Sequence, residues 1–95
     1  MEKRYPYKTI IMADTKIASN FGEPWDGVYT FQYTDHWSNG EYWIYRNSLY
    51  WFISDSEFIF EDPYMKARKS YVATSDPNGN YIGVDGNPNG SVSNL

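Results

Sequence analysis

Residues 28–34, VYTFQYT, alternate strictly, with Tyr29, Phe31 and Tyr33 on one side and Thr30, Gln32 and Thr34 on the other. A period of two is the signature of a half-buried strand. Three more short runs follow at tight spacing: 41–46 (EYWIYR), 49–54 (LYWFIS) and 57–61 (EFIFE). Asn39-Gly40, Asn47-Ser48 and Asp55-Ser56 separate them, residue pairs that tolerate the positive φ of a two-residue hairpin turn. These runs predict a four-stranded antiparallel meander over residues 28–61.

Turn length sets register, and register sets faces. With two-residue turns, Ser38 opposes Glu41, Arg46 opposes Leu49 and Ser54 opposes Glu57. The core face then collects Tyr29, Phe31, Tyr33, Trp37, Tyr42, Ile44, Leu49, Trp51, Ile53, Phe58 and Phe60, with Asp35 placed at a bulge. The opposite face carries Trp43, Tyr45, Tyr50, Phe52 and Ile59 at its centre and polar residues at its margins. Those five residues form the candidate partner-binding site. Either a second layer of the same chain covers them, closing a sandwich or barrel, or they remain a surface patch that binds a partner.

Outside the meander the pattern weakens. Residues 7–13 (YKTIIMA) predict an N-terminal strand, and 14–26, with Gly22 and Pro24, predict a loop. Asp62-Pro63 resembles a helix start, predicting one short helical turn near 63–68. Residues 70–75 and 80–84 predict a C-terminal hairpin about Asp76-Pro77-Asn78-Gly79. Residues 85–95, DGNPNGSVSNL, have no periodicity and predict a flexible tail beyond a single small domain spanning 1–84. The fold class expected is mainly β: a small antiparallel meander with an N-terminal strand and a C-terminal hairpin, in a partly open barrel or sandwich.

Composition sharpens this picture. The chain has 95 residues and no cysteine, so disulfides and thiolate metal sites are excluded. Aromatics make up 20% of it, which gives a thin sheet large side chains to bury. A net charge of −4 argues against nucleic acid, since phosphate binding depends on Lys and Arg. The basic groups Lys3/Arg4/Lys8 and Lys66/Arg68/Lys69 read as solvated surface. The N-terminal apolar run is too short for a signal-peptide core or a membrane span, so the expected location is cytoplasmic or virion-associated.

Candidate chemistry is sparse. His36 is the single histidine, read as a turn-flanking residue rather than a metal ligand. Glu41, Glu57 and Glu61 lie beside aromatics, but a small meander offers no deep cleft to tune a carboxylic acid. Asp76, Asn78 and Asn80 have calcium-loop spacing, yet Tyr81 stands where glycine is required and Asn87 where a bidentate glutamate is required. No cofactor, metal or membrane is expected. The function expected is a non-catalytic protein-binding or assembly module, such as a small virion component or an inhibitor of a larger protein. Its tail would lie along the partner, which is another protein chain or a second copy of this one. The alternative is a carbohydrate-binding module stacking sugars on exposed aromatics, with Glu41, Gln32 or Glu57 bonding the hydroxyls.

Overall fold

The structure, a computed structural model, describes residues 15–57, 64–71 and 76–95. Among the described residues eight strands run in sequence order: β1 (Thr15–Ser19), β2 (Gly27–Tyr33), β3 (His36–Ser38), β4 (Trp43–Asn47), β5 (Tyr50–Ser54), β6 (Met65–Ser70), β7 (Gly79–Gly83) and β8 (Gly90–Asn94). Every neighbour pairs antiparallel, and β8 returns to β1, so the sheet closes into a barrel. Closure removes both sheet edges and their unpaired backbone groups.

Three of the four predicted meander strands are present, as β2, β4 and β5, and the register differs. β3 is an additional strand between β2 and β4, and the fourth predicted strand at 57–61 lies outside the described residues from 58 on. Ser38 pairs with Trp43 and Arg46 with Trp51, each two positions further along than two-residue turns at 39–40 and 47–48 require. At the first turn the Asn39 carboxamide oxygen accepts from the amides of Glu41 and Tyr42, at 2.9 and 2.7 Å, and holds residues 39–42 as a four-residue loop. Because the side-chain period is two, a shift of two leaves every face unchanged. Tyr29, Trp37, Ile44, Trp51 and Ile53 therefore do form the core, joined by Ala18, Phe21, Trp25, Ala67, Tyr81 and Val92.

Three predicted core residues are exposed. Leu49 sits in the turn after Ser48, whose φ is +60°, and is 67% exposed. Phe31 and Tyr33 flank an irregularity in the β2–β3 ladder: Phe31 pairs with Trp37, but Tyr33 pairs with the adjacent His36. Gln32 is the extra residue, and the alternation breaks there. The chain reverses at Asp35, which takes φ +59° in a turn rather than sitting at a bulge.

Elements outside the meander depart further from expectation. β1 lies in the predicted loop: its inward residues are Lys16 and Ala18, so no apolar stripe announces it. The predicted helical turn near 63–68 is replaced over its described part by β6, where Ala67 alone is fully buried. Good helix formers (Met65, Lys66, Ala67, Arg68) are overridden because the barrel needs a strand between β5 and β7. The edge of β5 assigned to residues 57–61 is taken by β6, with Trp51 opposite Lys69 and Ile53 opposite Ala67. The predicted tail 85–95 supplies β8, held by the chain's own β1 and β7. The predicted strand at 7–13, together with Phe58, Ile59, Phe60 and residues 72–75, lies outside the described residues.

The core is aromatic, and its polar tips are satisfied at the two ends. Tyr29 donates to the Trp25 carbonyl and Tyr81 to the Pro77 carbonyl, both at 2.6 Å. Phe21, fully buried, packs edge-on to Tyr81 at 5.9 Å and plugs one end. Each such ring stabilises the barrel by about 1.5–3 kcal/mol through burial. The opposite end carries the inward-facing cations Lys16 and Lys69.

Candidate functional site

The outer wall of the barrel carries a second aromatic system. Residues directly opposite on adjacent strands form one lateral row: Tyr33, His36, Tyr45, Phe52, Arg68 and Ile82, spanning β2 to β7. Tyr45 and Phe52 point away from the core because their neighbours Ile44 and Ile53 point into it. The Gln32 irregularity brings Tyr33 into this row.

Contacts along the row are close. The His36 ring stacks on Tyr33 at 4.3 Å and on Tyr45 at 5.4 Å, nearly parallel to both. Tyr45 meets Phe52 at 6.1 Å, and Phe52 meets Tyr50 at 5.9 Å. The Arg68 guanidinium lies 4.4 Å from the centre of the Tyr50 ring, a cation–π contact. Trp43 flanks the row, its ring edge-on to His36 at 6.2 Å.

Histidine geometry is set by its neighbours. Nδ1 of His36 lies 2.8 Å from the Thr34 carbonyl, which only accepts, so Nδ1 carries the hydrogen. Nε2 then faces Glu57 Oε2 at 3.6 Å, a buried oxygen with no hydrogen-bond partner. Tyr45 hydrogen-bonds Ser54 Oγ at 3.3 Å. Burial pushes the Tyr45 phenol above its ordinary value, and the Ser54 bond partly opposes that.

The five predicted site residues therefore divide. Tyr45 and Phe52 are buried, at 1% and 5% exposure, so they support the wall rather than offer contact area. Trp43 and Tyr50 remain half-buried at its surface. Ile59 lies outside the described residues. The accessible ends of the row are Tyr33 and Ile82, 48% and 61% exposed, together with exposed Arg68. Arg68 is hidden in the sequence because Met65 to Arg68 favour a helix, although Lys66, Arg68 and Ser70 alternate. Ile82 falls in the predicted 80–84 strand, but its place in the row depends on β7 pairing with β6.

Compared with known proteins, the chain matches no family model, no curated protein and no solved structure.

Beside the row lies a shallow open groove of about 450 Å³. Val28, Thr30, Gln32, Ser38, Asn39 and Trp43 line it, one apolar ring among hydroxyls and carboxamides. Among the described residues no group of three or more His, Cys, Asp or Glu could hold a metal. The calcium-like spacing at 76–80 serves a turn instead: the Asn78 amide donates to the Asp76 carboxylate at 3.1 Å. No helix among the described residues is long and apolar enough to cross a membrane.

Proposed function

We propose that this barrel is a non-catalytic docking module that binds another protein chain, or copies of itself, through its outer wall. The single observation behind this reading is the lateral aromatic row, whose centre is buried and whose ends, Tyr33 and Ile82, are exposed beside Trp43, Tyr50 and Arg68. Rigid Tyr and Trp rings with an adjacent Arg are the side chains that dominate protein interfaces, because they bury large area at small entropic cost. Assembly into a larger particle and inhibition of a larger protein both fit such a wall. The tail has no part in this reading, since its residues are consumed in β8.

The test is sedimentation over a wide concentration range, paired with cross-linking to isolated partners. A Tyr33→Ser/Ile82→Ser double variant should weaken association by about 2 kcal/mol or more. Association identical in wild type and variant, or a monomer with the same cross-linked partners, overturns the proposal.

A second reading rests on the groove beside Trp43. Sugar C–H faces stack on such a ring, and Thr30, Gln32 and Asn39 offer polar groups around it. Quenching of Trp43 fluorescence by a glycan, lost in Trp43→Ala, would support it over the first.

A further inference from the structure

At the end of the barrel opposite Phe21, two lysines occupy inward-facing positions. Lys16 pairs with the core residue Tyr29 across the β1–β2 ladder, and Lys69 pairs with the core residue Trp51 across β5–β6. Lys16 is 3% exposed, and its ammonium lies 5.3 Å from the centre of the Trp37 ring. Among the described residues neither ammonium has an ion-pair partner, whereas nearby Arg46 has Asp35 at 3.4 Å.

A small carboxamide network joins the two lysines. Lys16 Nζ donates to Asn94 Oδ1 at 2.6 Å, the Asn78 carboxamide nitrogen donates to the same oxygen at 3.2 Å, and Lys69 Nζ donates to the Asn78 carbonyl. This network fixes both amide orientations. An ammonium only donates, so Asn94 must present its oxygen, and Asn78 must then present its nitrogen. The group left over is Asn78 Oδ1, which is buried and has no hydrogen-bond partner.

Each feature is costly by itself. A buried ammonium is ordinarily paired with a carboxylate, and a buried amide oxygen is ordinarily bonded. Here one buried ammonium, one half-buried ammonium and one orphan acceptor share one network, with no carboxylate in ion-pair reach of either lysine among the described residues. We propose that this end of the barrel binds inorganic phosphate in its protonated form, which accepts from Lys16 and Lys69 and donates its own P–OH to Asn78 Oδ1. Sulfate has the charge and shape but no proton to give near neutral pH, so it leaves the acceptor unmet. Burial holds the Lys16 amine below its ordinary value, with Asp76 partly opposing, and a bound anion would raise it again. This site is separate from the outer wall and stands whether or not the wall docks a partner.

The experiment is titration of the full chain with inorganic phosphate at constant ionic strength. It is followed by thermal unfolding and by the side-chain amide resonances of Asn78 and Asn94. Expected are a saturable rise in the midpoint, a shift of both resonances and a weaker response to sulfate. Lys16→Met and Lys69→Met should each weaken binding about tenfold or more, the loss of one charge-assisted hydrogen bond. Lys69→Arg, which keeps the charge, should retain most of it. Lys16→Met fills the same buried space without a charge, and circular dichroism checks that it folds. If it does not, Lys69→Met decides alone. Methyl phosphate, whose second pKa of about 6 leaves it mostly without a P–OH at neutral pH, should bind more weakly than phosphate; binding as tight as phosphate overturns the donation to Asn78. An equal response to sulfate, no saturation, or an undiminished response in the folded Met variants overturns the proposal.

Discussion

Gly83, at the end of β7, is the position where one added methyl group should do most damage. A Cβ built there would lie 1.7 Å from the carbonyl oxygen of Asn87, about half an ordinary van der Waals separation, and 2.8 Å from the carbonyl oxygen of Pro88. Backbone, not a flexible side chain, would have to move. That backbone is tied: the Asn87 amide donates to the Val84 carbonyl at 3.1 Å, and its side chain donates to the Tyr64 hydroxyl at 2.9 Å. The Gly83 amide itself donates to Asn89 Oδ1 at 2.8 Å. Overpacking that needs backbone shifts costs typically 1–3 kcal/mol, and this clash sits at or beyond the top, about 3 kcal/mol. A chain of this length has a total stability of roughly 5–14 kcal/mol. Gly83→Ala should therefore lower the thermal midpoint by about 12 °C or more, and shift the urea midpoint, read from tryptophan fluorescence, by about 2 M. Gly86→Ala is the matched control. It has open space and a φ of +85°, so only the left-handed backbone penalty of about 1–2 kcal/mol applies. If Gly83→Ala is no less stable than Gly86→Ala, the β7–β8 connection is not packed as described.

Alkaline pH should destabilise the barrel in a defined window. Burial is the main cause that raises the phenols of Tyr29, Tyr45 and Tyr81 above their ordinary value. Above about pH 10 the unfolded tyrosines lose protons that the folded ones keep, so stability present below that pH is lost as pH rises. Lys16, whose value is lowered, acts oppositely: its burial penalty is present at neutral pH and fades as pH approaches its ordinary value near 10.5. Urea midpoints should therefore rise slightly and then fall, and Tyr81→Phe should flatten the fall; a midpoint still rising well above pH 10 contradicts this. Asp26→Ala should cost about 1–3 kcal/mol in the same assay, because the carboxylate accepts from the amides of Phe21 and Gly22 at 2.8 and 3.2 Å and sets the loop that plugs one barrel end. An unchanged midpoint would mean that water replaces the carboxylate without loss.

Alternation in residues 28–54 by itself determined that β2, β4 and β5 exist, that β4 and β5 pair antiparallel, and that Tyr29, Ile44, Trp51 and Ile53 face the core while Tyr45 and Phe52 face away; the insertion of β3 between β2 and β4 it did not. A period of two survives a difference of two in turn length, so the faces are legible even though the loop at Asn39 has four residues rather than two. Tertiary structure decided the rest. β1, β6 and β8 turn Lys16, Ala18, Ala67, Gly90 and Val92 inward, small or charged residues that make no hydrophobic stripe and become strands only because the closed barrel offers each two neighbours to pair with. Gly90 is required there, since a Cβ would lie 2.5 Å from the Phe21 ring. The outer row was half legible: its middle stood in the sequence, but its ends, Tyr33 and Ile82, depended on the Gln32 irregularity and on β7 reaching β6. The pairing of Lys16 with Lys69 through Asn78 and Asn94 was invisible in sequence, because closure of the barrel is what brings four distant positions to one end.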